Sequence, residues 1–511
     1  MTDEQRQRIL VLCTMSGMGK GGVPVFNEQI STALAARGHD VTLLTVDPVN
    51  EGHEGIALHT VRPPEGDVEG RIWLEQQCAT LNPTTFGLPD PNQQPFDLIV
   101  GHSRFSGPAA VAIRDNWYTE ARVAHFLHTS PERLPYVKYS NNLEKAQNKA
   151  ARDSGIERAV MSRADVVVGV GPLLTEEAKR LAASNQQVPS SHELVPGTKI
   201  EPLVQRAQQH DGPLQLLGLG RADDELKGFR DAARAVRLLN DKGVAVHFTV
   251  RGVPPDDVPK LQQELSQLSG GNVTVLPFST DKGAIRNDIR QADALIMPSK
   301  HEGFGLVATE ALGHGVPVLV NEDSGAARFL RDANRIPPEM GAPCVVPEPA
   351  NPTHRIKAWA NSIEQLKEQL PQRTEDAARL REVLKSYSWE HAATSLAQAS
   401  ATAPAPATDP SAAQSARATV QGPQGTVTLT SGPQEQQPTQ QGTTTTQTQT
   451  QTQTTTQTTT TQNPIAKAAA LTSRSGSTTS PTQGAGNTTS NPVAPARPQV
   501  PQPPKPQGPS R

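Results

Sequence analysis

Short apolar runs, each followed by a turn and then by a stretch of helical periodicity, recur along the first 400 residues of the chain. The clearest of these runs lie at residues 8–13, 98–101, 122–127, 166–170, 214–219, 273–276 and 294–297. Runs of four to six apolar residues are typical of strands that are buried on both faces of a parallel sheet. The pattern therefore predicts an α/β fold. About 400 residues are too many for one core and fit two domains.

The chain opens with a strand–loop–helix–strand unit of the Rossmann type. We expect a strand at 8–13, a helix from about Phe26 to Arg37 and a strand at 40–47, with a glycine-rich loop after the first strand. The loop does not match the phosphate-binding P-loop motif, because Thr14 occupies the position of its first glycine and Gly21 that of its Ser or Thr.

Residues 401–511 differ sharply from the rest in composition. They contain no aromatic residue and are rich in Thr, Gln, Pro, Ser and Ala. Such a segment buries too little apolar area to offset its chain entropy, so we expect it to be disordered. It carries six basic and two acidic residues, which leaves a net charge of −7 on residues 1–400. An acidic folded part with no basic stripe argues against nucleic-acid binding.

Composition also bears on location. No stretch approaches 18 consecutive apolar residues, so no transmembrane helix is expected. Residues 1–8 are polar and lack the apolar region of a secretory leader. The three cysteines are far apart in sequence, which is typical of free thiols in a reducing compartment. We therefore expect a cytoplasmic protein.

The segment at residues 298–311 is the most informative about chemistry. It joins the apolar run 294–297 to a helix through a turn that contains Gly303 and Gly305, and Glu302 and Glu310 bracket the start of that helix. Free N–H groups and the positive end of the helix dipole favour an anion at such a turn. Carboxylates on either side would accept hydrogen bonds from hydroxyl groups. A nucleotide-diphosphate sugar has this distribution of charge and hydroxyls.

Two other interpretations of the glutamate pair were weighed. Both side chains could simply be solvated on the surface, but the flanking glycines and the apolar strand make this less favourable. A glycosidase would place two carboxylates on facing elements around the scissile bond. Two glutamates on one turn–helix unit fit that arrangement less well.

The segment resembles the signature of retaining glycosyltransferases of family 4, which have the GT-B fold, and the resemblance covers about residues 8–398. It implies that Glu302 contacts the donor sugar as a catalytic residue and that Glu310 contacts the ribose. The turn residues Gly303, Phe304, Gly305 and Leu306 would bind the donor diphosphate. Similar sequences carry Gly-Arg and Lys-Gly near residue 220, which implies that Arg221 and Lys227 hold the diphosphate by charge.

In the N-terminal half the resemblance implies that Gly21 and Gly22 form the family's glycine loop, with a weaker case for Lys20. His128 follows a predicted strand, where open α/β sheets bind ligands, and would lie near the donor sugar as a second catalytic residue. His102 is a weaker candidate for the acceptor cleft. His125 is predicted to be a core histidine.

One position departs from the family pattern. Where similar sequences usually have Gly-Gly-x-x-Glu, this chain has Ser324-Gly325-Ala326-Ala327-Arg328, so a base replaces an acid. The loop borders the sugar end of the site in the family, which leaves the identity of the donor open. No Asp-x-Asp motif is present, so the sequence indicates neither a metal nor another cofactor.

The sequence thus predicts two Rossmann-like domains facing a cleft. The acceptor domain spans residues 1–196, the nucleotide-sugar donor domain 197–385, a helix crossing back to the first domain 386–400 and a disordered tail 401–511. The predicted function is transfer of a hexose from a nucleotide-diphosphate sugar to an acceptor with retention of anomeric configuration. A non-catalytic nucleotide-sugar sensor and a nucleotide-sugar epimerase or hydrolase remain alternatives. Peripheral membrane contact and a partner for the tail, such as a domain that binds its Pro-rich end, stay open.

Overall fold

Two parallel β-sheets form the folded part of the chain. The computed structural model describes residues 6–15, 21–46, 55–63, 69–185, 188–203 and 212–403, together with a short antiparallel pairing of Gln421–Gly422 with Gly425–Thr426. The prediction of a disordered tail at 401–511 falls almost entirely outside the described residues, as does residue Lys20 of the glycine loop. In the described part, no helix combines the length and apolarity needed to cross a lipid bilayer.

The first sheet has seven parallel strands in the order β3-β2-β1-β4-β5-β6-β7. In chain order they are β1 (Arg8–Cys13), β2 (Asp40–Thr45), β3 (Ile56–Thr60), β4 (Leu98–His102), β5 (Arg122–Leu127), β6 (Val166–Val170) and β7 (Ser190–Leu194). The strand order reverses between β1 and β4, the point at which doubly wound sheets bind ligands.

The second sheet has six parallel strands in the order β10-β9-β8-β11-β12-β13. They are β8 (Leu214–Leu219), β9 (Val246–Val253), β10 (Val273–Pro277), β11 (Ala294–Met297), β12 (Val318–Asn321) and β13 (Val345–Val346). Its order reverses between β8 and β11. The predicted fold class of two Rossmann-like α/β domains is confirmed.

Helices cover both faces of the two sheets, which explains why the central strands are almost continuously apolar. Those of the first half are α1 (Gly22–Ala36), α2 (Gly70–Thr80), α3 (Ser103–Asn116), α4 (Leu134–Lys138), α5 (Leu143–Met161) and α6 (Pro172–Ala182). Those of the second half are α7 (Phe229–Asp241), α8 (Val258–Ser269), α9 (Lys282–Gln291), α10 (Leu306–Gly313), α11 (Gly325–Leu330), α12 (Pro338–Gly341), α13 (Pro352–Glu368), α14 (Leu370–Leu384) and α15 (Trp389–Thr402).

Helix α1 begins one turn earlier than the sequence pattern predicted, at Gly22 instead of near Phe26. Pro24 lies in its first turn, where the N–H that proline lacks would have no partner inside the helix. The proline therefore belongs to the helix and does not precede it. As a result, the glycine loop leads directly into α1.

The two sheets share one apolar cluster that runs from the first domain into the second. Phe304, from the turn after β11, is 4% exposed and packs against Gly171, at the start of α6. Any side chain at Gly171 would overlap the Phe304 ring. The turn that carries the candidate donor site is thus packed directly against the first domain.

The last described helix, α15, packs on α1 and β7 of the first domain. Its Trp389 ring lies 5.3 Å from the ring of Phe26, and the Ser395 hydroxyl is 2.8 Å from Nε2 of His192. The chain between the domains passes close by, because Thr198 N–H donates to the Tyr387 carbonyl at 2.8 Å. This helix ties the end of the folded region to its beginning.

Gly197 and Gly155 provide a matched test of this packing. A methyl group at Gly197 would overlap the backbone of Trp389, whereas one at Gly155, exposed within α5, would meet nothing within 4 Å. We expect Gly197→Ala to lower the thermal midpoint, since overpacking costs about 1–3 kcal/mol. Gly155→Ala should raise it, since alanine is favoured over glycine in a helix by about 1 kcal/mol. Two equal midpoints in a thermal unfolding scan would contradict this account.

Candidate functional site

The candidate donor site lies where the strand order of the second sheet reverses. The loops that follow β8 and β11 are joined there by a hydrogen bond of 2.8 Å from Lys300 N–H to the Leu226 carbonyl. Gly228 adopts a φ of 70° and packs so closely on Pro298 that a side chain would overlap its carbonyl oxygen. Glycine at 228 therefore satisfies both a backbone conformation and a close approach.

Lys227 and Glu302, predicted from separate motifs, meet at this junction. The Lys227 ammonium donates to the Glu302 carboxylate at 2.7 Å, and each side chain is about one-quarter exposed. Burial by itself raises the pKa of Glu302, but the charge and hydrogen bond of Lys227, with the Ser299 hydroxyl and His301, outweigh it. The pKa of Glu302 is consequently lowered, and the carboxylate is ionised at neutral pH.

The glycine turn presents the start of α10 to this ion pair. Gly305 has a φ of 100° and precedes the first helical residue, Leu306. The first N–H groups of a helix have no acceptor within it, so they are available to an anion. Gly303, Phe304, Gly305 and Leu306 therefore lie where the sequence predicted a diphosphate-binding turn.

Arg221 and Glu310 lie at the edges of the site. The Arg221 side chain is 64% exposed and pairs with Asp224 at 2.9 Å, so it does not contact Glu302 in this state. Glu310 is exposed on α10, one helix turn or more beyond the glycine turn. Lys227 and Glu302 are thus brought together, whereas Arg221 and Glu310 flank them.

His128 reaches the same place from the first domain. It directly follows β5 and is 9% exposed. A side chain at Gly303 would overlap the carbonyl oxygen of His128, so the glycine turn and the end of β5 are in main-chain contact. The two residues predicted as catalytic, His128 and Glu302, are therefore on adjoining segments of different domains.

The other two histidines differ in their surroundings. His102 is 1% exposed and therefore does not line an open cleft; its ring contacts the rings of His128 and Phe26. His125 is fully buried and its Nε2 lies 2.7 Å from the Glu157 carboxylate, as suits a core histidine. Burial lowers the pKa of His102 to about 3, helped by the charge of His125, and also lowers that of His128 well below its usual value.

Gly21 and Gly22 lie at the start of α1, beside the point where the first sheet reverses its strand order. Gly21 has a φ of 107°, and a Cβ at either position would meet none of the described residues within 4 Å. Packing within the described part of the chain therefore leaves open space at both glycines. This space is what a ligand that approaches the main chain would need.

The Ser324 loop, which departs from the family pattern, is attached to the glycine turn through main-chain bonds. Glu302 N–H donates to the Asp323 carbonyl and Gly325 N–H to the Glu302 carbonyl, both at 3.1 Å. Arg328 is 55% exposed and lies 3.8 Å from Glu176 of the first domain. A cavity of about 440 Å³ opens between the domains beside it, lined by Arg133, Pro172, Leu173, Glu176, Glu322, Asp323, Ala327, Arg328, Arg331 and Asp332.

Sequence reasoning missed a cluster of paired charges near His128. Asp153 on α5 is 2% exposed and contacts Lys149, Arg104 at 3.2 Å and Arg152 at 3.5 Å. Arg104 also donates to the Thr129 hydroxyl at 3.3 Å. A second carboxylate approaches the cluster, because Glu157 accepts the main-chain N–H of Arg104 at 2.8 Å. Lys149, Arg152 and Asp153 share one helix, but Arg104 is distant in sequence, so only the folded chain shows that it joins them.

Sequence reasoning also missed Asn27. Its side chain is 1% exposed, and its Oδ1 lies 3.0 Å from Nε2 of His102. A polar residue among the apolar positions of α1 was the available signal. Within the described residues no group of three or more His, Cys, Asp or Glu side chains is arranged to hold a metal ion.

Comparison with known proteins gives one matching family model, described as "Family 4 Glycosyltransferase in conflict systems", over residues 10–396. D-inositol 3-phosphate glycosyltransferase of Nocardia farcinica is 29% identical over 374 residues, which cover 65% of this chain and 77% of that protein. The enzyme of the same name from Jonesia denitrificans is 24% identical over 437 residues, which cover 76% of this chain and 94% of that protein.

Solved structures share the fold at lower identity. Sucrose-phosphate synthase from Thermosynechococcus elongatus superposes with a TM-score of 0.58 and 22% identity, covering 77% of this chain and 98% of its own. A trehalose-6-phosphate structure from E. coli, bound with UDP-2-fluoro glucose, superposes with a TM-score of 0.56 and 14% identity. The match covers 78% of this chain and 100% of that one. At these identities the likeness establishes the two-domain fold.

The ion pair at the centre of the site predicts a pKa response. In Lys227→Met, burial of Glu302 is no longer opposed by the ammonium, so we expect its pKa to rise above the usual value of about 4.3. In the wild type, ionised Glu302 stabilises the fold above that pH, and this is lost as the pH falls through its lowered pKa. In the variant the sign reverses, and stability is lost as the pH rises. Carboxyl ¹³C titration of glutamate-labelled protein, compared with Glu302→Gln, measures the shift.

Lys242→Met is the matched control for this experiment. Lys242 forms an exposed pair with Glu364 at 3.3 Å and lies between α7 and β9, at the opposite edge of the sheet. The Lys242→Met substitution should leave the pKa of Glu302 unchanged. A Glu302 titration that is identical in Lys227→Met and the wild type would refute the assignment of Lys227 as the group that holds this carboxylate ionised.

Proposed function

Because this chain belongs to the family 4 glycosyltransferases in conflict systems, we propose that it transfers a sugar from a nucleotide-diphosphate donor to an acceptor with retention of anomeric configuration. The fold is GT-B, with two Rossmann-like domains. The observation that carries the proposal is the Lys227–Glu302 pair at the reversal point of the second sheet, beside the end of β5.

This ion pair suits a site that waits for an anionic ligand. A donor diphosphate would attract the Lys227 ammonium away from Glu302. The carboxylate, already ionised, would then be free to accept hydrogen bonds from hydroxyl groups of the sugar. The pair thus holds both charges in place without ligand and releases each to its own part of the donor.

The diphosphate would lie against the start of α10. The N–H groups at Gly303 to Leu306 and the helix dipole favour negative charge there. Arg221 would turn from Asp224 to the phosphates, since its guanidinium is exposed and held by a single surface ion pair. Charge grows on the diphosphate as the bond to the sugar breaks, so these cations stabilise the transition state more than the bound donor. Glu310 would accept hydrogen bonds from the ribose.

Retention follows from the geometry that we assign to the reacting groups. No side chain is assigned as a nucleophile. By resemblance to the family, the departing phosphate oxygen accepts the proton of the acceptor hydroxyl on the same face of the sugar from which it leaves. His128 would contact the donor sugar from the first domain, and Glu302 would contact it from the second.

The acceptor is proposed to be a hydroxyl compound that carries an anionic group. Two of the relatives are named D-inositol 3-phosphate glycosyltransferase. In this chain Arg104 contacts the carboxylate of Asp153 and also Thr129, the residue after His128. Its guanidinium would pair with a phosphate on the acceptor next to the reacting sugar.

Removing either member of the central pair should abolish most of the transfer. We expect Glu302→Ala and Lys227→Ala to lower kcat/KM by about 10²-fold or more, the scale seen when one preorganised electrostatic group is removed. Lys242→Ala should retain activity. The assay follows sugar transfer from UDP- and GDP-sugars to inositol 3-phosphate, and proton NMR of the product reports whether the anomeric configuration matches the donor.

Other outcomes of the same assay would replace the proposal. Release of free sugar from donor alone would indicate a hydrolase, and a changed sugar on the nucleotide would indicate an epimerase. Donor binding without turnover on any acceptor would indicate a sensor. A product of inverted configuration would contradict retention.

Arg104 provides a separate test of the acceptor. In Arg104→Gln we expect the KM for a phosphorylated acceptor to rise about tenfold, since a charged hydrogen bond is worth about 1.5–3 kcal/mol. The KM for donor should not change, and an unphosphorylated polyol should be used equally by variant and wild type. Arg158→Gln, which removes an exposed ion pair between α5 and Glu132, is the control. Equal acceptor KM values for Arg104→Gln and the wild type would contradict the assignment.

A further inference from the structure

Three buried side chains from three different elements are connected in a row beside the candidate site. Asn27 lies on α1, His102 ends β4 and His128 follows β5. The distance from Asn27 Oδ1 to His102 Nε2 is 3.0 Å, and that from His102 Nδ1 to His128 Nε2 is 2.9 Å. All three side chains are at least nine-tenths buried.

We propose that Asn27 and His102 are positioning residues that fix the tautomer and orientation of the His128 imidazole. The amide oxygen of Asn27 can only accept a hydrogen bond, so Nε2 of His102 carries the proton. Nδ1 of a neutral His102 is then an acceptor, and Nε2 of His128 donates to it. His128 is left with an unprotonated Nδ1, which can act only as a hydrogen-bond acceptor.

The surroundings keep both histidines neutral, as this arrangement requires. Burial lowers the pKa of His102 and of His128, and the charge of His125 acts in the same direction. Phe26 covers the network: its ring lies 4.9 Å from that of His128 and 6.4 Å from that of His102, both edge-on. The aromatic cover excludes water that could otherwise exchange with the ring nitrogens.

A strained backbone position gives independent support. Ser103 is the one residue other than glycine with a positive φ, 43°, among those described. Its hydroxyl accepts the His128 N–H at 3.0 Å and contacts the Phe126 carbonyl at 3.2 Å. Strained residues of this kind persist where surrounding structure holds them, and they cluster at functional sites. Here the strain fixes the main chain of the residue whose ring the row of side chains orients.

The backbone of His102 is fixed in the same way. Its N–H donates to the Ser106 hydroxyl at 2.9 Å, and that hydroxyl donates to the Leu12 carbonyl of β1 at 2.7 Å. Asn27 lies on the helix that follows Gly21 and Gly22. The network therefore joins β1, β4 and α1, the elements around the strand-order reversal of the first sheet, to His128.

The inference rests on the proposed function, since it assigns His128 to the sugar, but its structural part can be measured without activity. In nucleotide-free wild-type protein, ¹⁵N NMR of labelled histidine should show His128 as the Nε2–H tautomer, identified by comparison with His128→Gln. The variant Asn27→Leu keeps the size of the side chain but removes the hydrogen-bond acceptor of His102, so this tautomer should no longer dominate. The kcat should fall about tenfold with the donor KM within about twofold, because a misoriented imidazole affects the reacting state.

Two variants serve as controls. Asn27→Gln keeps an uncharged amide oxygen as the hydrogen-bond acceptor for His102, so it should retain the His128 tautomer and recover most of kcat. Ser31→Ala removes a buried hydroxyl on the same face of α1, one turn further on, for which the described residues provide no hydrogen-bond partner. It should change neither the His128 tautomer nor kcat. These variants distinguish loss of the hydrogen-bond acceptor at residue 27 from a general destabilisation of α1.

The possible outcomes are distinct. A His128 with its proton on Nδ1 in the wild type, or a tautomer that is unchanged in Asn27→Leu, would overturn the inference. A changed His128 tautomer in Asn27→Leu together with an unchanged kcat would also overturn it. If the tautomer responds as expected but the wild type transfers no sugar to any acceptor, the positioning network stands and the proposed function fails.

Discussion

The close approach of the glycine turn to the end of β5 is the constraint on which the site depends. Gly303 lies against the carbonyl of His128 with no space for a side chain, and Phe304 packs on Gly171 beside it. The contact is between main chains, so it fixes distance more tightly than contacts between flexible side chains would. It brings together residues that are more than 170 positions apart in sequence. A bulky residue at 303 would push the glycine turn away from the end of β5, where His128 and Glu302 lie on adjoining segments.

The charges around this contact are arranged by burial as much as by pairing. Glu302 is recessed enough that burial alone would favour its protonated form, and Lys227 reverses that preference. On the other domain burial has the opposite consequence, since it keeps His102 and His128 neutral. The two sides of the site therefore differ in character. One is a charged pair, and the other is a neutral group of hydrogen-bonding side chains.

Local sequence predicted the elements of the donor side well, for a physical reason. Glu302, Gly303 and Gly305 belong to one strand–turn–helix unit, and their relative positions are set by the backbone of that unit. Asn27 and Ser103 were not predicted, because their roles arise only when α1, β4 and β5 are placed side by side. The exposure of Arg221 was equally hidden, since its pairing with Asp224 depends on the conformation of the loop that follows β8. Residues 401–511 lie almost wholly outside the described part, so their predicted disorder stays a prediction.

The base at position 328 can be reconciled with a working site. The loop that carries it is held against the glycine turn by main-chain hydrogen bonds from Glu302, Gly325 and Ala326, none of which involves the side chain at 328. Gly325 itself packs so tightly on the Gly303 carbonyl that a side chain there would overlap it. The exposed Arg328 guanidinium lies near Glu176, at the rim of the interdomain cavity. Gly325 is thus the residue that packs on the glycine turn, whereas Arg328 contributes charge at the rim of the cavity.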